Sequence, residues 1–222
     1  MKCHYTLGFI FIGVFVAVSG TSRGAEPVDK TMENMPSPTV RDLWKMVFVD
    51  DRRDYDQMIS ALKRIIGVDG NSNDTLTAKF LIGRIEINRT EADALSSYEK
   101  ARAAFEDLTK SDPKTWQGQY ARMALLCLLQ SEGKYALVIS EGPKALAEID
   151  WNLIGKDAPP DLADYTKMAD KKEKLTPDLL KNLIANSYLE LKEPKEAQNW
   201  ILKIDDEEMK KELQQQLKSL DK

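Results

Sequence analysis

The sequence has 222 residues, of which 42% are hydrophobic and 31% are charged, and this composition is typical of a folded, water-soluble protein with one large or two small domains. The formal net charge is −4, and the interspersed acidic and basic residues form no basic stripe, which argues against a nucleic-acid-binding protein. The only histidine is His4, which excludes a catalytic or metal site built on histidine elsewhere in the chain.

Residues 1–24 have the layout of a secretory signal peptide. Lys2 precedes an apolar run that ends at Val18, and small and polar residues follow that run. Because the run is shorter than the roughly 20 apolar residues of a membrane-spanning helix, we expect cleavage between Ser19 and Gly24, with an uncleaved anchor as the alternative. The chain would contact the membrane only before cleavage, and residues 25–38 would form a flexible segment at the start of the exported protein.

Cleavage would also limit the chemistry that the chain can perform. It would remove Cys3 and His4 and leave 30 basic and 36 acidic side chains, a net charge of −6. Histidine is the commonest general base at neutral pH and the commonest metal ligand, so we predict no catalytic residue, no metal site and no cofactor. Cys127 would be the single cysteine, which excludes an internal disulfide, and its apolar neighbours predict a buried side chain. The sequence favours a protein that is not an enzyme; catalysis by two carboxylates is the alternative that it leaves open.

From residue 39 onward, the sequence predicts an all-α fold. Apolar residues recur at three- and four-residue steps, and no segment alternates for long enough to form a strand. The predicted helices cover residues 39–49, 53–66, 75–88, 91–110, 114–131, 134–149, 161–171, 176–191, 194–203 and 206–220. Asp74 and Thr176 are candidate N-caps, with Pro177 in the first turn after Thr176. Gly142-Pro143 is expected to break or kink its helix.

The helices pair by one recurring spacing. In each of four pairs, twelve residues separate the middle of an apolar cluster in the first helix from an apolar or small cluster in the second helix. The clusters are Met46 and Val49 with Met58, Leu62 and Ile65; Leu81, Ile82 and Ile85 with Ala94, Tyr98 and Ala101; Leu125, Leu126 and Leu129 with Val138, Gly142 and Ala145; and Ile184, Ala185 and Tyr188 with Ala197, Ile201 and Ile204. Small residues in the second helices predict close contact between neighbouring helices.

Ala94, Tyr98 and Ala101 match the small–aromatic–small pattern of one helical repeat family. The sequence resembles the tetratricopeptide repeat (TPR), a helical hairpin of about 34 residues that stacks into a superhelix. The resemblance covers residues 39–205 in repeats that step by 36, 44 and 59 residues. It implies a TPR-like α-solenoid, a right-handed superhelix of about four antiparallel hairpins. An insertion is expected at 151–175, and a generic helical bundle is the alternative.

The resemblance also implies a function, because first helices line the concave face of such a superhelix. The groove-facing positions are then Lys79, Glu86, Tyr120, Met123, Gln130, Asn182, Asn186 and Glu190. Their mixed polarity suits hydrogen-bonded recognition of a protein or peptide partner. We therefore expect an exported scaffold, periplasmic or envelope-associated in a bacterium, that is a monomer or a weak homodimer. A helical protein that binds a small molecule or glycan is the alternative.

Three further patterns have structural explanations. Residues 69–80 place oxygen-bearing side chains at the odd positions of a calcium loop but lack its glycine and its closing glutamate, which predicts a linker. The acidic run 205–208 is expected to cap the last helix. The apolar stripe of that helix predicts a C-terminal capping helix over residues 206–222, with a dimerising helix as the alternative. The stripe consists of Met209, Leu213, Leu217 and Leu220.

Overall fold

The computed structural model describes residues 39–48, 54–68, 72–89, 94–156 and 176–220, and every element within these ranges is a helix. The helices are α1 (Val40–Phe48), α2 (Tyr55–Val68), α3 (Asn73–Asn88), α4 (Ala94–Ser111), α5 (Trp116–Ser131), α6 (Tyr135–Glu148), α7 (Trp151–Lys156), α8 (Pro177–Glu190), α9 (Pro194–Ile201) and α10 (Glu207–Leu220). The prediction of an all-α fold is confirmed for the part of the chain that the structure describes.

Most helix boundaries agree with the predicted ones to within three residues. The predicted helix at 161–171, the signal peptide and the 25–38 segment lie outside the described residues. Helix α7 was not predicted, and it begins where the insertion was expected to begin. It starts at an N-cap, because Asp150 Oδ1 accepts hydrogen bonds from the backbone N–H groups of Asn152 at 3.0 Å and Leu153 at 3.3 Å.

The caps of the other helices follow the sequence in part. Asp206 Oδ1 accepts from the backbone of Glu208 and Met209, both at 3.0 Å, which confirms that the acidic run caps the last helix. The prediction that Asp74 caps α3 is wrong. Ser72 occupies that position and its Oγ accepts from the backbone N–H of Thr75 at 3.2 Å, so α3 begins earlier than predicted.

Gly142-Pro143 was expected to break or kink its helix, and the break is wrong, because α6 continues through Pro143 to Glu148. The reason is the packing of α6 against α8. A Cβ atom added at Gly142 would lie 2.6 Å from Ile184 Cγ1, so a larger residue there would require Ile184 to shift. Tertiary packing of this kind contributes more to helix stability than the local preference of one residue does.

The chain divides into two compact units, one ending at Ala101 and the other beginning at Arg102. Among the described helices of the first unit, α2 packs along α3, and α1 packs against both. The largest fully buried side chains of this packing are Leu43, Leu62, Phe80, Leu81 and Ile85. They come from all three helices, so the first unit has a core of its own.

In the second unit, α5 pairs with α6 and α8 pairs with α9, while α6 packs against α8 and α10 packs against both α8 and α9. Arg122 near the start of α5 forms an ion pair with Glu148 at the end of α6, so these helices are antiparallel. Tyr135 at the start of α6 lies near Glu190 at the end of α8, so this pair is antiparallel as well. Helices α5 and α8, the first helices of two consecutive hairpins, therefore run parallel.

The turns of these two hairpins are closed by the same three backbone hydrogen bonds. In the first turn, the N–H groups of Glu132, Gly133 and Lys134 donate to the carbonyl oxygens of Leu128, Gln130 and Leu129 over 3.0, 2.9 and 2.8 Å. In the second turn, Leu191, Lys192 and Glu193 donate to Ser187, Leu189 and Tyr188 over 3.2, 3.0 and 2.9 Å. Every donor and acceptor is shifted by 59 residues, which is the step that the sequence predicts between its third and fourth pairs.

Both turns need one residue in the left-handed region of backbone space. Gly133 fills this position in the first turn with φ of 71°, and Lys192 fills it in the second with φ of 59°. Glycine adopts this conformation without steric cost, whereas a lysine is strained there. The second hairpin therefore keeps the geometry of the first although it lacks the glycine that favours it.

Candidate functional site

The eight predicted groove residues divide between the two units. Lys79 and Glu86 lie on α3 in the first unit, and the other six lie on α5 and α8 in the second. Lys79 is half-buried, whereas Glu86 is only 4% exposed. The Glu86 carboxylate lies 3.8 Å from the guanidinium of Arg89, which also forms an ion pair with Asp56 of α2. Glu86 is thus part of the charged contact between α2 and α3.

The α5 members of the predicted groove are Tyr120, Met123 and Gln130. Tyr120 is half-buried, Met123 is buried, and Gln130 is 9% exposed. Gln130 Nε2 donates to the carbonyl oxygen of Leu183 at 3.2 Å and lies 3.5 Å from Ser187 Oγ. This carboxamide joins α5 to α8 inside the protein, where hydrogen bonding offsets the cost of burying a polar group. Of the three, Tyr120 is the side chain that solvent reaches most readily.

The α8 members are Asn182, Asn186 and Glu190. Asn182 is half-buried, Asn186 is 6% exposed and Glu190 is exposed. Asn186 Nδ2 donates to Asn182 Oδ1, one helical turn earlier, so the two carboxamides support each other along α8. The accessible predicted residues of the second unit are therefore Tyr120, Asn182 and Glu190, and we call these three residues the α5–α8 surface.

The α5–α8 surface is extended rather than compact. Gln130 is level with Leu183 and Ser187, which sets the register of the two parallel helices. At a rise of 1.5 Å per residue, Tyr120 and Glu190 then lie roughly 20 Å apart along the helix axes. The phenol, carboxamide and carboxylate of these residues supply donors and acceptors for hydrogen bonds, and the carboxamide can both donate to and accept from a peptide group.

A second polar arrangement, which the sequence did not indicate, joins the starts of α8 and α10. Asp178 is 7% exposed, and its Oδ2 accepts from the backbone N–H groups of Asp205 at 3.0 Å and Asp206 at 2.8 Å. Its Oδ1 accepts from Lys181 Nζ at 2.7 Å, and Lys181 also donates to Asp205 Oδ2 at 3.2 Å. Burial by itself raises the pKa of Asp178, but the hydrogen bonds from Lys181 and from the Asp206 backbone hold that pKa below its usual value.

Two ionisable side chains at the α5–α6 turn, Glu132 and Tyr135, also have shifted pKa values. Burial raises the pKa of Glu132, but its hydrogen bonds with Lys134 and Arg102 outweigh burial and lower that pKa overall. Burial, and to a smaller extent the charge of Glu190, raises the pKa of Tyr135. Tyr135 therefore stays a neutral hydrogen-bonding group at physiological pH, next to one end of the α5–α8 surface.

A shallow cavity of about 600 Å³ lies between α9 and α10 and is open to solvent. Its lining residues are Pro194, Lys195, Gln198, Asn199 and Leu217.

Within the described ranges, no three histidine, cysteine, aspartate or glutamate side chains lie together as a set of metal ligands. No helix among the described residues is long and apolar enough to cross a bilayer.

The packing of adjacent helices in both units is compatible with a helical repeat protein. The chain matches no family model, no curated protein and no solved structure with which it was compared. Its geometry is therefore the basis for inferring its function.

Proposed function

We propose that this chain is an exported, TPR-like scaffold that binds a segment of a partner protein along the α5–α8 surface. The observation that supports the proposal most strongly is the pair of turns 59 residues apart with the same three hydrogen bonds. In the proposal, α5–α6 and α8–α9 are two repeats of one hairpin. In a stack of such hairpins the first helices line the inner, concave face, and α5 and α8 are the first helices here. The proposal includes a right-handed superhelix over residues 39–205.

The dimensions and chemistry of the α5–α8 surface suggest the kind of segment that it binds. A span of roughly 20 Å accommodates about six residues of extended peptide at about 3.3 Å per residue. Asn182 would bond to a peptide group of the segment, Tyr120 would contact an apolar or hydroxyl-bearing side chain, and Glu190 would attract a basic one. No catalytic residue and no cofactor are part of this function.

The setting of the proposed function is the bacterial envelope. It depends on the signal peptide that the sequence predicts at residues 1–24, so it stands apart from the geometry of the α5–α8 surface. The test is the mass of the protein recovered from an envelope fraction. Loss of a segment ending between residues 19 and 24 would support export, whereas a full-length mass in the cytosolic fraction would contradict it.

The partner-binding proposal is tested by crosslinking pull-down from envelope extracts, with the chain from Ala25 onward as bait. The binding variant carries Tyr120→Ala, Asn182→Ala and Glu190→Ala together. The control variant changes Leu137, Ser140 and Lys144 of α6 to alanine, since these are exposed residues on the second helix of the same hairpin. Circular dichroism of both variants checks that they are folded.

A partner that the wild type and the control capture but the binding variant loses would support the proposal. A partner retained by the binding variant would show that the α5–α8 surface does not bind it. If no protein is captured by any of the three, the alternative function, binding of a small molecule or glycan, takes precedence. Melting of the wild-type chain in the presence of oligosaccharides would then be the next measurement.

A further inference from the structure

Helix α10 is attached to the second unit by few buried side chains. Leu213 is 1% exposed and is the only residue of this helix that is fully inside the core, where it joins Ala185, Ala197, Ile201 and Ile204 of the α8–α9 hairpin and its connection to α10. Met209 and Leu217 pack against the same cluster but are only partly buried, and the outward face of the helix is polar. Three residues of the apolar stripe thus face the α8–α9 hairpin, as expected for a capping helix, whereas the fourth, Leu220, is 42% exposed.

The second attachment of α10 is the carboxylate of Asp178. It accepts both backbone hydrogen bonds from Asp205 and Asp206, the residues that immediately precede α10. Asp206 in turn caps the first turn of α10. The buried carboxylate of Asp178 on α8 therefore holds the N-cap residue of α10 in place. Lys181 completes the arrangement by bonding to both Asp178 and Asp205.

We propose that α10 is a lid that opens as one unit, and that the ionised carboxylate of Asp178 holds this lid closed. Opening separates Leu213 from its cluster and breaks the bonds to Asp205 and Asp206, while the α8–α9 hairpin remains intact. A helix that packs through one face and buries few side chains is the kind of element that opens independently of the rest of a domain.

The closed lid is sensitive to acid because a carboxylate holds it. We call the Asp178 carboxylate and its hydrogen bonds to the Asp205 and Asp206 backbone the clamp. The charged groups that face Asp178 are Lys181 on its own helix and Asp205 and Asp206 on the segment that enters α10. Lys181 stays charged throughout the acid range, so protonation of Asp178 is the event that weakens the clamp. The clamp is complete above the pKa that Asp178 has in the unfolded chain, and it is lost as the pH falls through the lower pKa of the folded state.

The test is hydrogen exchange of the full chain at neutral pH, followed by mass spectrometry of peptides from each helix. In Asp178→Asn, amides of residues 207–220 should exchange about tenfold faster or more, because a hydrogen bond to a charged group is among the stronger ones. Amides of α5 and α6 should keep their wild-type rates. The matched control is Glu141→Gln, which removes an exposed carboxylate that pairs with Lys144 on α6.

If the amides of α10 exchange at the wild-type rate in Asp178→Asn, Asp178 does not hold the helix closed. If exchange accelerates equally in α8, α9 and α10, then α10 does not open as a separate unit. If Asp178→Asn does not fold, Leu213→Ala tests the same idea, because it weakens the apolar contact and leaves the clamp in place. In that variant the amides of α10 should exchange faster at neutral pH than the same amides of the wild type. The ratio of the α10 rate to the α5 rate should then rise as the pH is lowered. An α10-to-α5 ratio that does not rise in acid would overturn the proposal.

Discussion

Helices α8 and α10 have the same length, 14 residues, and begin side by side, yet they contribute very differently to the protein. Nine residues of α8 are buried, against Leu213 alone in α10. The buried polar groups of α8 bond within the protein: Ser187 Oγ donates to the carbonyl oxygen of Leu183, and Asp178 accepts from the segment before α10. A helix enclosed by its neighbours is part of the core, so the unit unfolds when that helix unfolds. A helix that covers only one face can detach while the rest of the unit stays folded.

The largest expected effect comes from truncating one core side chain in each helix. Ile184→Ala should lower the free energy of unfolding by about 3–5 kcal/mol, because the side chain is fully buried between α6 and α8. Leu213→Ala should lower it by about 2 kcal/mol, since α10 can shift to fill the space. Urea denaturation measures both values, and a larger loss for Leu213→Ala would contradict the distinction between core and lid.

The close approach of α6 to α8 is the next feature to test. Gly142→Val should destabilise the protein by about 1–3 kcal/mol, because the new side chain would overlap Ile184. The matched control is Gly67→Ala in α2, where no atom lies within 4 Å of the added Cβ and the helix should gain up to about 1 kcal/mol. Thermal unfolding of both variants separates the two cases, and equal shifts in Tm would show that the α6–α8 approach is not tight.

The charge of Asp178 should appear as a pH dependence of stability. Its pKa is lower in the folded than in the unfolded chain, so the carboxylate stabilises the fold above about pH 4, and this contribution is lost as the pH falls through the folded-state pKa. The difference in unfolding free energy between the wild type and Asp178→Asn should therefore be largest near neutral pH and shrink in acid. A difference that is constant from about pH 7 to about pH 2 would contradict the assigned pKa shift.

The turn between α8 and α9 offers a stabilising change. Lys192→Gly should raise the free energy of unfolding by about 0.5–1 kcal/mol, because φ of 59° strains a lysine but not a glycine. Gly133→Ala at the equivalent position of the α5–α6 turn should do the opposite by a similar amount. If both substitutions destabilise the protein, the two turns are not equivalent.

The smallest effect on stability is expected at Glu190 of the α5–α8 surface. Glu190→Ala should change the free energy of unfolding by about 0.5 kcal/mol or less, because Glu190 is exposed. Tyr120→Ala and Asn182→Ala should each cost about 1 kcal/mol, because both side chains are half-buried and Asn182 Oδ1 accepts a hydrogen bond from the buried Asn186. Chemical denaturation of the single variants checks this. A loss above about 2 kcal/mol in any of them would assign that residue to the fold rather than to binding.

The helices and the spacing of the two hairpins in the second unit could be predicted because they depend on periodic apolar residues. The three- and four-residue steps locate each helix, and the 59-residue step from Leu126 to Ala185 recurs in the hydrogen bonds of the turns. Capping was harder to predict, since Asp150 and Ser72 act through short local bonds that compete with other nearby polar residues.

The candidate site could be predicted only in part. Position within a repeat predicts Tyr120, Asn182 and Glu190 as groove residues, and the structure leaves these three accessible. Gln130 and Asn186, predicted in the same way, are buried, because burial depends on how tightly the next helix packs and residue spacing does not determine that. Asp178 was not predicted, because its backbone partners Asp205 and Asp206 are 27 and 28 residues away in the sequence. The available signal was an aspartate directly after Thr176-Pro177, which is equally typical of an ordinary helix start.

The 59-residue shift between the two turns exceeds the roughly 34 residues of a TPR hairpin. The additional residues lie in the connection from α6 to α8, because the α5–α6 hairpin spans residues 116–148, close to the length of one TPR hairpin, and α8 begins only at Pro177. Doubling the length of a loop costs only about 0.6 kcal/mol in closure entropy, so such a connection can change in length while the hairpins on either side keep their packing. The two hairpins thus keep one turn geometry at a spacing that an array of uniform 34-residue repeats would not give.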